Sequence, residues 1–145
     1  MTKRLDVIAA IAALATSAWP AATVLCLAND ADMPQRISDE GLVIVREGDP
    51  GEAQIDLSPP TYNYEHLIPV ELFAVASGVL SARQRVDQMV AAFSPVIAAN
   101  RTLGGLVDYL DGTAPATGAI YQKGVEAAHG ASVPLTASYS TTDPL

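Results

Sequence analysis

Residues 62–76 read YNYEHLIPVELFAVA, and residues 81–100 read SARQRVDQMVAAFSPVIAAN. In the first run Tyr62, Tyr64, His66, Ile68, Val70, Leu72 and Ala74 fall on every second position. Strand side chains alternate between faces, so this row points one way. Asn63 and Glu65 begin the opposite row, and Leu67, Phe73 and Val75 continue it. The run predicts a long strand, half-exposed at its start and covered on both faces at its end. Pro69 cannot donate a ladder hydrogen bond and predicts a bulge or an edge position.

In the second run the period changes. Val86, Met89, Val90, Phe93 and Ile97 recur every three or four residues, as one apolar helix face does. Ser81 and Gln84 have the spacing of a capping box. Pro95 is expected to kink or end the first part of the helix. A long strand feeding an amphipathic helix predicts a sheet with a helix laid on one face.

Upstream, Lys3 and Arg4 precede an apolar run from Val7 to Ala15, followed by the small residues Thr16, Ser17 and Ala18. That outline resembles a secretory leader, but Asp6 interrupts it and the run is too short to span a bilayer. The expectation is instead a helix with Leu5, Ile8, Ile11 or Ala12, and Ala15 inward, ended by Trp19-Pro20. Ala22–Leu27 predicts a short buried strand, with Cys26 as a small buried hydrophobe. Asn29–Glu40 holds Pro34 and reads as a loop, and Leu42–Arg46 as a second strand. Glu47-Gly48-Asp49-Pro50-Gly51 is a turn cluster, so Ala53–Leu57 is expected to return as a hairpin strand with Ile55 and Leu57 inward.

Downstream, Gly104-Gly105 suits a helix end and a tight reversal. Leu106–Leu110 fits either a short strand or a helical turn. Asp111–Gly118 reads as a loop, and Ile120–Ala128 as extended. Val133, Leu135, Ala137 and Tyr139 alternate with polar residues and Pro134, the pattern of an amphipathic strand. No glycine-rich loop follows a strand, which argues against a doubly wound sheet. The prediction is an α+β fold: a largely antiparallel sheet with two main helices packed on one face. It forms a single domain over residues 1–145, with a short C-terminal tail at 141–145.

The chain is half hydrophobic, 17% charged and carries a net charge of −8, with its acidic residues dispersed. Such a balance excludes a phosphate-gripping surface, which needs clustered Lys and Arg. One cysteine permits no internal disulfide and no site of two thiolates. His66 and Glu65 are strand neighbours and face opposite ways, so they are not a pair. His129 sits in Ala127-Ala128-His129-Gly130, read as a turn or bulge. Two histidines with no ligand spacing argue against a metal site. No Gly-x-Ser-x-Gly elbow is present, and Cys26 has no placed base. Asp108 and Asp111 are three apart and share a face if helical, or cap a turn. These residues predict no enzyme, no cofactor and no metal.

The segments Arg101-Thr102-Leu103-Gly104-Gly105-Leu106-Val107-Asp108-Tyr109 and Ala137-Ser138-Tyr139-Ser140-Thr141-Thr142-Asp143-Pro144-Leu145 have no catalytic logic. Together with the first helix, the Gly48-Asp49-Pro50-Gly51 turn, Tyr62 and Tyr64, and the amphipathic helix, they occur in a familiar order. In that order the chain resembles the tail terminator proteins of long-tailed phages and of phage-derived gene transfer particles. The resemblance covers most of the chain as a pattern rather than as one motif. It implies a structural virion protein, assembled in the host cytoplasm and placed in the tail and neck region. Such proteins form a ring, usually of six subunits, on the head-proximal end of the tail tube. The ring stops tube polymerisation and meets the head–neck connector. The implied partners are therefore copies of itself, the tail tube protein and the connector or stopper. DNA would only pass through the lumen, which an acidic wall suits, and no membrane is involved. The interface candidates are Arg36, Asp49, Pro50, Arg101, Thr102, Leu103, Thr142, Asp143, Pro144 and Leu145. Loops Asn29–Glu40 and Gly48–Tyr62 are long enough to reach a neighbour. A stopper or adaptor is the nearest alternative. A small cytoplasmic α+β enzyme or ligand-binding domain is the other, with a pocket lined by Asp108, Asp111, His66 or His129 as its mark.

Overall fold

The structure, a computed structural model, describes residues 2–34, 36–120 and 128–145. It is an α+β fold: helices α1 (Lys3–Ala18) and α2 (Ala82–Ala99) lie against a seven-stranded, mostly antiparallel sheet. The strands are β1 (Thr23–Leu27), β2 (Leu42–Arg46), β3 (Gln54–Leu57), β4 (Pro60–Val75), β5 (Tyr109–Gly112), β6 (Ala116–Ile120) and β7 (Ala128–Thr141). Long strands β4 and β7 form the antiparallel centre, paired from Tyr62 opposite Thr141 to Val75 opposite Ala128. On one side β2 and β3 run along β4, with β1 parallel to β2 outside them. On the other, β5 and β6 run along β7.

The alternating row of β4 builds the core as expected. Ile68, Val70, Leu72 and Ala74 pack with Val43 and Val45 of β2 and with Ala131, Val133, Leu135 and Ala137 of β7. Both helices lie on this front face. α1 contributes Val7, Ile8, Ile11 and Ala15, and α2 contributes Val86, Met89, Phe93 and Ile97. Each fully buried aliphatic or aromatic side chain is worth roughly 1.5–3 kcal/mol relative to exposure. Trp19 joins the helices: its ring lies 4.8 Å from Phe93 and its Nε1–H donates to Met89 O at 3.2 Å. The predicted capping box at Ser81 and Gln84 forms in both directions.

Several expectations are corrected. α2 neither stops at Pro95 nor starts a new element there. Ala91, whose carbonyl the proline leaves without a partner, is exposed, so water can serve it. The chain does not reverse at Asp49–Gly51. Leu42 faces Phe73, Asp49 faces Leu67 and Leu57 faces Pro60, so residues 42–57 run the whole length of β4 and the chain turns at Ser58-Pro59. The register slips by one residue twice along the way, the mark of bulges. Of residues 111–118 only 113–115 lie outside strands; the rest are the end of β5 and the start of β6, with one further slip between them. His129 lies within β7 rather than in a turn. The extended reading of Ile120–Ala128 falls mostly outside the described residues.

The prolines explain the slips. Pro69 and Pro134 are directly opposite each other, where neither strand needs a donor from the other. Leu67 and Asp49 exchange both backbone bonds across the other edge of β4. By alternation, the missing N–H of Pro69 faces the stretch between Arg46 and Asp49, where β2 slips. Pro134 faces the break between β5 and β6, where its carbonyl still accepts from Thr113 N at 3.1 Å. Two prolines thus sit in central strands because each outer strand bulges beside them.

On the back face a second cluster forms from Leu42, Ile44, Phe73, Val75, Ala128 and Ile37, with Leu25, Leu27 and Met33 against it. Met33 and Ile37 of the loop between β1 and β2 therefore fold over their own sheet. Cys26 is exposed, against expectation. It points to the front face at the outermost strand, and α1 does not cover it.

Candidate functional site

The end of the sheet where β3, the start of β4 and the end of β7 meet is apolar and uncovered. Ile55 pairs with Tyr62 and Leu57 with Pro60, so both belong to the front-face row. Both were expected inward; they share the face that bears the helices, yet Ile55 is 52% and Leu57 75% exposed. Length explains it. β4 has 16 residues and α2 has 18, which makes the strand about 53 Å long and the helix about 27 Å. A helix layer of that length leaves one end of the strand bare.

The bare end carries other predicted residues. A cleft of about 340 Å³ lies between the start of α1 and the tail, lined by Arg4, Pro50, Tyr64, Tyr139, Asp143 and Pro144 among others. The tail is folded onto the site. Thr141 Oγ1 accepts from Asp143 N at 3.2 Å, Asp143 Oδ1 accepts from Leu145 N at 3.0 Å, and Tyr64 O–H donates to Pro144 O at 3.3 Å. Four of the interface candidates, Pro50, Asp143, Pro144 and Leu145, therefore line one cleft. Thr142 is exposed beside them. Asp49 is exposed and accepts from Gly51 N through Oδ1 at 2.8 Å, which shapes the turn.

Other candidates are held by the chain itself. Arg101 donates to Leu110 O at 3.0 Å and to Asp111 Oδ1 at 2.9 Å, and its guanidinium lies 5.3 Å from the Tyr109 ring centre. Its backbone carbonyl accepts from Leu110 N, so the segment closes the outer edge of β5. Leu103 packs against the main core, whereas Thr102 is exposed. Arg36 lies exposed on the back-face loop, away from the bare end.

The bulge that aims the Asp49-Pro50 turn is clamped from two sides. Asn29 accepts from Gly48 N at 2.7 Å and donates to Gly48 O at 2.9 Å. His66, fully buried, contacts Glu47 O through Nε2 at 2.7 Å and Tyr139 O–H through Nδ1 at 3.0 Å. A carbonyl only accepts, so Nε2 carries the proton and Nδ1 accepts from the phenol. Burial pulls the His66 pKa below its ordinary value of 6.5, outweighing the Glu47 carbonyl, which raises it.

Folded His66 resists protonation more than unfolded His66 does. The stability it contributes is present above pH 6.5 and is lost as pH falls from there toward the folded pKa. Urea titrations downward from pH 7 should show stability falling with pH through this group. His66→Gln keeps an N–H for Glu47 and should flatten that part of the profile. Identical profiles for the two proteins would rule the assignment out.

The four residues that would mark a small-molecule site lie apart. His66 is inside the core, and Asp111 is paired with Arg101. Asp108 lies by Glu65 and Ser138 near the bare end. His129 lines a groove of about 730 Å³ beside the start of α2, with Arg83, Gln84 and Asp87. Among the described residues no three His, Cys, Asp or Glu side chains converge to hold a metal ion, and no helix is long and apolar enough to cross a membrane. No protein-family model matches the chain, and no curated protein matches it.

Proposed function

We propose that this protein is a ring-forming structural subunit, the tail terminator that caps the head-proximal end of a phage-type tail tube and joins it to the head–neck connector. The observation that carries this reading is the bare end of the sheet, where Leu57 and Ile55 stand exposed in the core-facing row. A closed ring needs a patch on each subunit that fits a different patch on the next. Projecting apolar side chains on a β-hairpin serve that purpose. The clustering of Pro50 and the tail residues Asp143–Leu145 in one neighbouring cleft supports the same reading. A net charge of −8 suits a lumen through which DNA slides without adhering.

Native mass spectrometry with electron microscopy of the purified protein tests it, with tail tubes as the binding partner. Rings that seat on tube ends are expected. Leu57→Asp combined with Ile55→Asp should reduce rings to smaller species while shifting stability by less than about 0.5 kcal/mol, because both side chains are exposed. Rings that fail to bind tubes would move the reading to a stopper or adaptor. A protein that stays monomeric at high concentration, alone and with tubes, would end it.

A further inference from the structure

Among the described residues the outermost strand β1 carries none of the devices that keep sheet edges apart. Its sequence, Thr23-Val24-Leu25-Cys26-Leu27, has no charge, no proline and no glycine. Edges of soluble proteins are ordinarily blunted by Lys, Pro, bulges or a covering segment. Among the described residues β1 pairs only with β2. Thr23 N donates inward to Gly41 O at 3.1 Å, so by alternation Thr23, Leu25 and Leu27 bond toward β2. The N–H and C=O of Val24 and Cys26 point away from the sheet. Among the described residues nothing bonds to them.

We propose that this edge pairs antiparallel with the β1 edge of a second copy about a twofold axis at Leu25. Three features commit the site to that occupant. The register is self-complementary: Val24 of each copy faces Cys26 of the other, and these are the residues whose backbone groups are free. The two pairs exchange four hydrogen bonds with no strand groups left over. The faces also agree. Leu25 and Leu27 pack with the back cluster, and on that side Leu25 meets its counterpart and Leu27 faces Thr23 of the other copy, while Val24 and Cys26 meet on the front. Charge permits the contact. Each copy carries −8, but Pro20–Ala28 is free of charged residues, so two such edges meet without like charges opposed. Asp30 of one copy falls level with the uncharged Pro20 of the other. The contact is twofold and is thus separate from the head-to-tail contacts of a ring. It stands whether or not the ring reading does.

Cys26 is the chain's one cysteine and reports on the geometry. In this register the two Cys26 Cα atoms are about 9 Å apart, beyond the roughly 7 Å that a disulfide spans. A short bismaleimide should therefore cross-link the full-length protein into covalent dimers, and oxidation alone should not. Val24→Pro removes an outward donor and leaves the bonds to β2 intact. Cys26→Lys places a charge on the exposed edge without touching the backbone. In sedimentation velocity each variant should weaken pairing at least tenfold, with circular dichroism unchanged. The cross-linking yield of Val24→Pro should fall with it. No cross-linked dimer from wild type, or pairing of equal strength in wild type and Cys26→Lys, would overturn the proposal.

Discussion

Gly48→Ala is expected to be among the most damaging single substitutions in this chain. Gly48 sits at the bulge with a φ of +71°, a region that side chains enter at a cost of about 1–2 kcal/mol. The larger obstacle is space. A β-carbon at this position would overlap the Leu67 carbonyl, which belongs to the central strand and cannot step aside. Asn29, bonded to both the N–H and the C=O of Gly48, holds the bulge against that strand. The combined loss should be about 3–4 kcal/mol, in the range reserved for named structural faults. A chain of this size would melt roughly 10 °C lower. Gly51 provides the control. Its φ is +69°, yet nothing lies within 4 Å of a β-carbon built there. Gly51→Ala should cost only the conformational strain, about 1 kcal/mol. Calorimetry of the two variants decides the matter: equal losses would show that collision with Leu67 plays no part.

Arg46 is the second position of large effect. It is 8% exposed and uses its whole guanidinium. Nε donates to Glu71 Oε2 at 2.9 Å and Nη2 to Oε1 at 3.3 Å, while Nη1 donates to Ala28 O at 2.8 Å and Ala31 O at 2.6 Å. One side chain thus ties β2 to β4 and fastens the back-face loop. Arg46→Met should cost about 3–5 kcal/mol, chiefly because the Glu71 carboxylate is left half-buried without its cation. Adding Glu71→Leu removes that stranded charge, so the double variant should be more stable than the single one. Full recovery is not expected, since the Ala28 and Ala31 carbonyls still lack a donor. Urea denaturation of the four proteins gives the coupling energy. Strictly additive losses would mean that the ion pair contributes nothing beyond packing.

The two faults lie at the ends of one stretch, Arg46 to Gly48, that a sequence reading treats as the start of a turn. Glycine, aspartate and proline in a row do favour reversal. Here the ladder along β4 is longer than any local preference, and the same residues bend the strand without turning it. Residues 111–118 resemble a loop for the same reason, although β5 and β6 take all but 113–115. A Gly-Thr-Ala-Pro run looks like a loop until β7 is known to continue beside it. Pro69 was the one local sign of this arrangement, since a proline in so apolar a strand requires a break in its neighbour.

Much of the candidate site lay beyond sequence for a different reason. The alternation of Ile55 and Leu57 was legible, but it set them inward, whereas both are exposed. Their exposure depends on where the helices stop, which the lengths of α2 and β4 limit but only packing settles. Cys26 is a similar case. Apolar neighbours on both sides suggest burial, but an edge strand has one side that no periodicity reveals.

The amino-acid sequence alone determined the α+β class, the long central strand, the capped amphipathic helix and the alternating last strand. Those features follow from side-chain periods of 2 and 3.6 and from local capping chemistry, which act over a few residues. Tertiary structure alone decided which strands are neighbours, where the ladder slips, which apolar residues remain bare and which edge is left unpaired. Those depend on contacts between residues far apart in the chain, whose pairing no local pattern encodes.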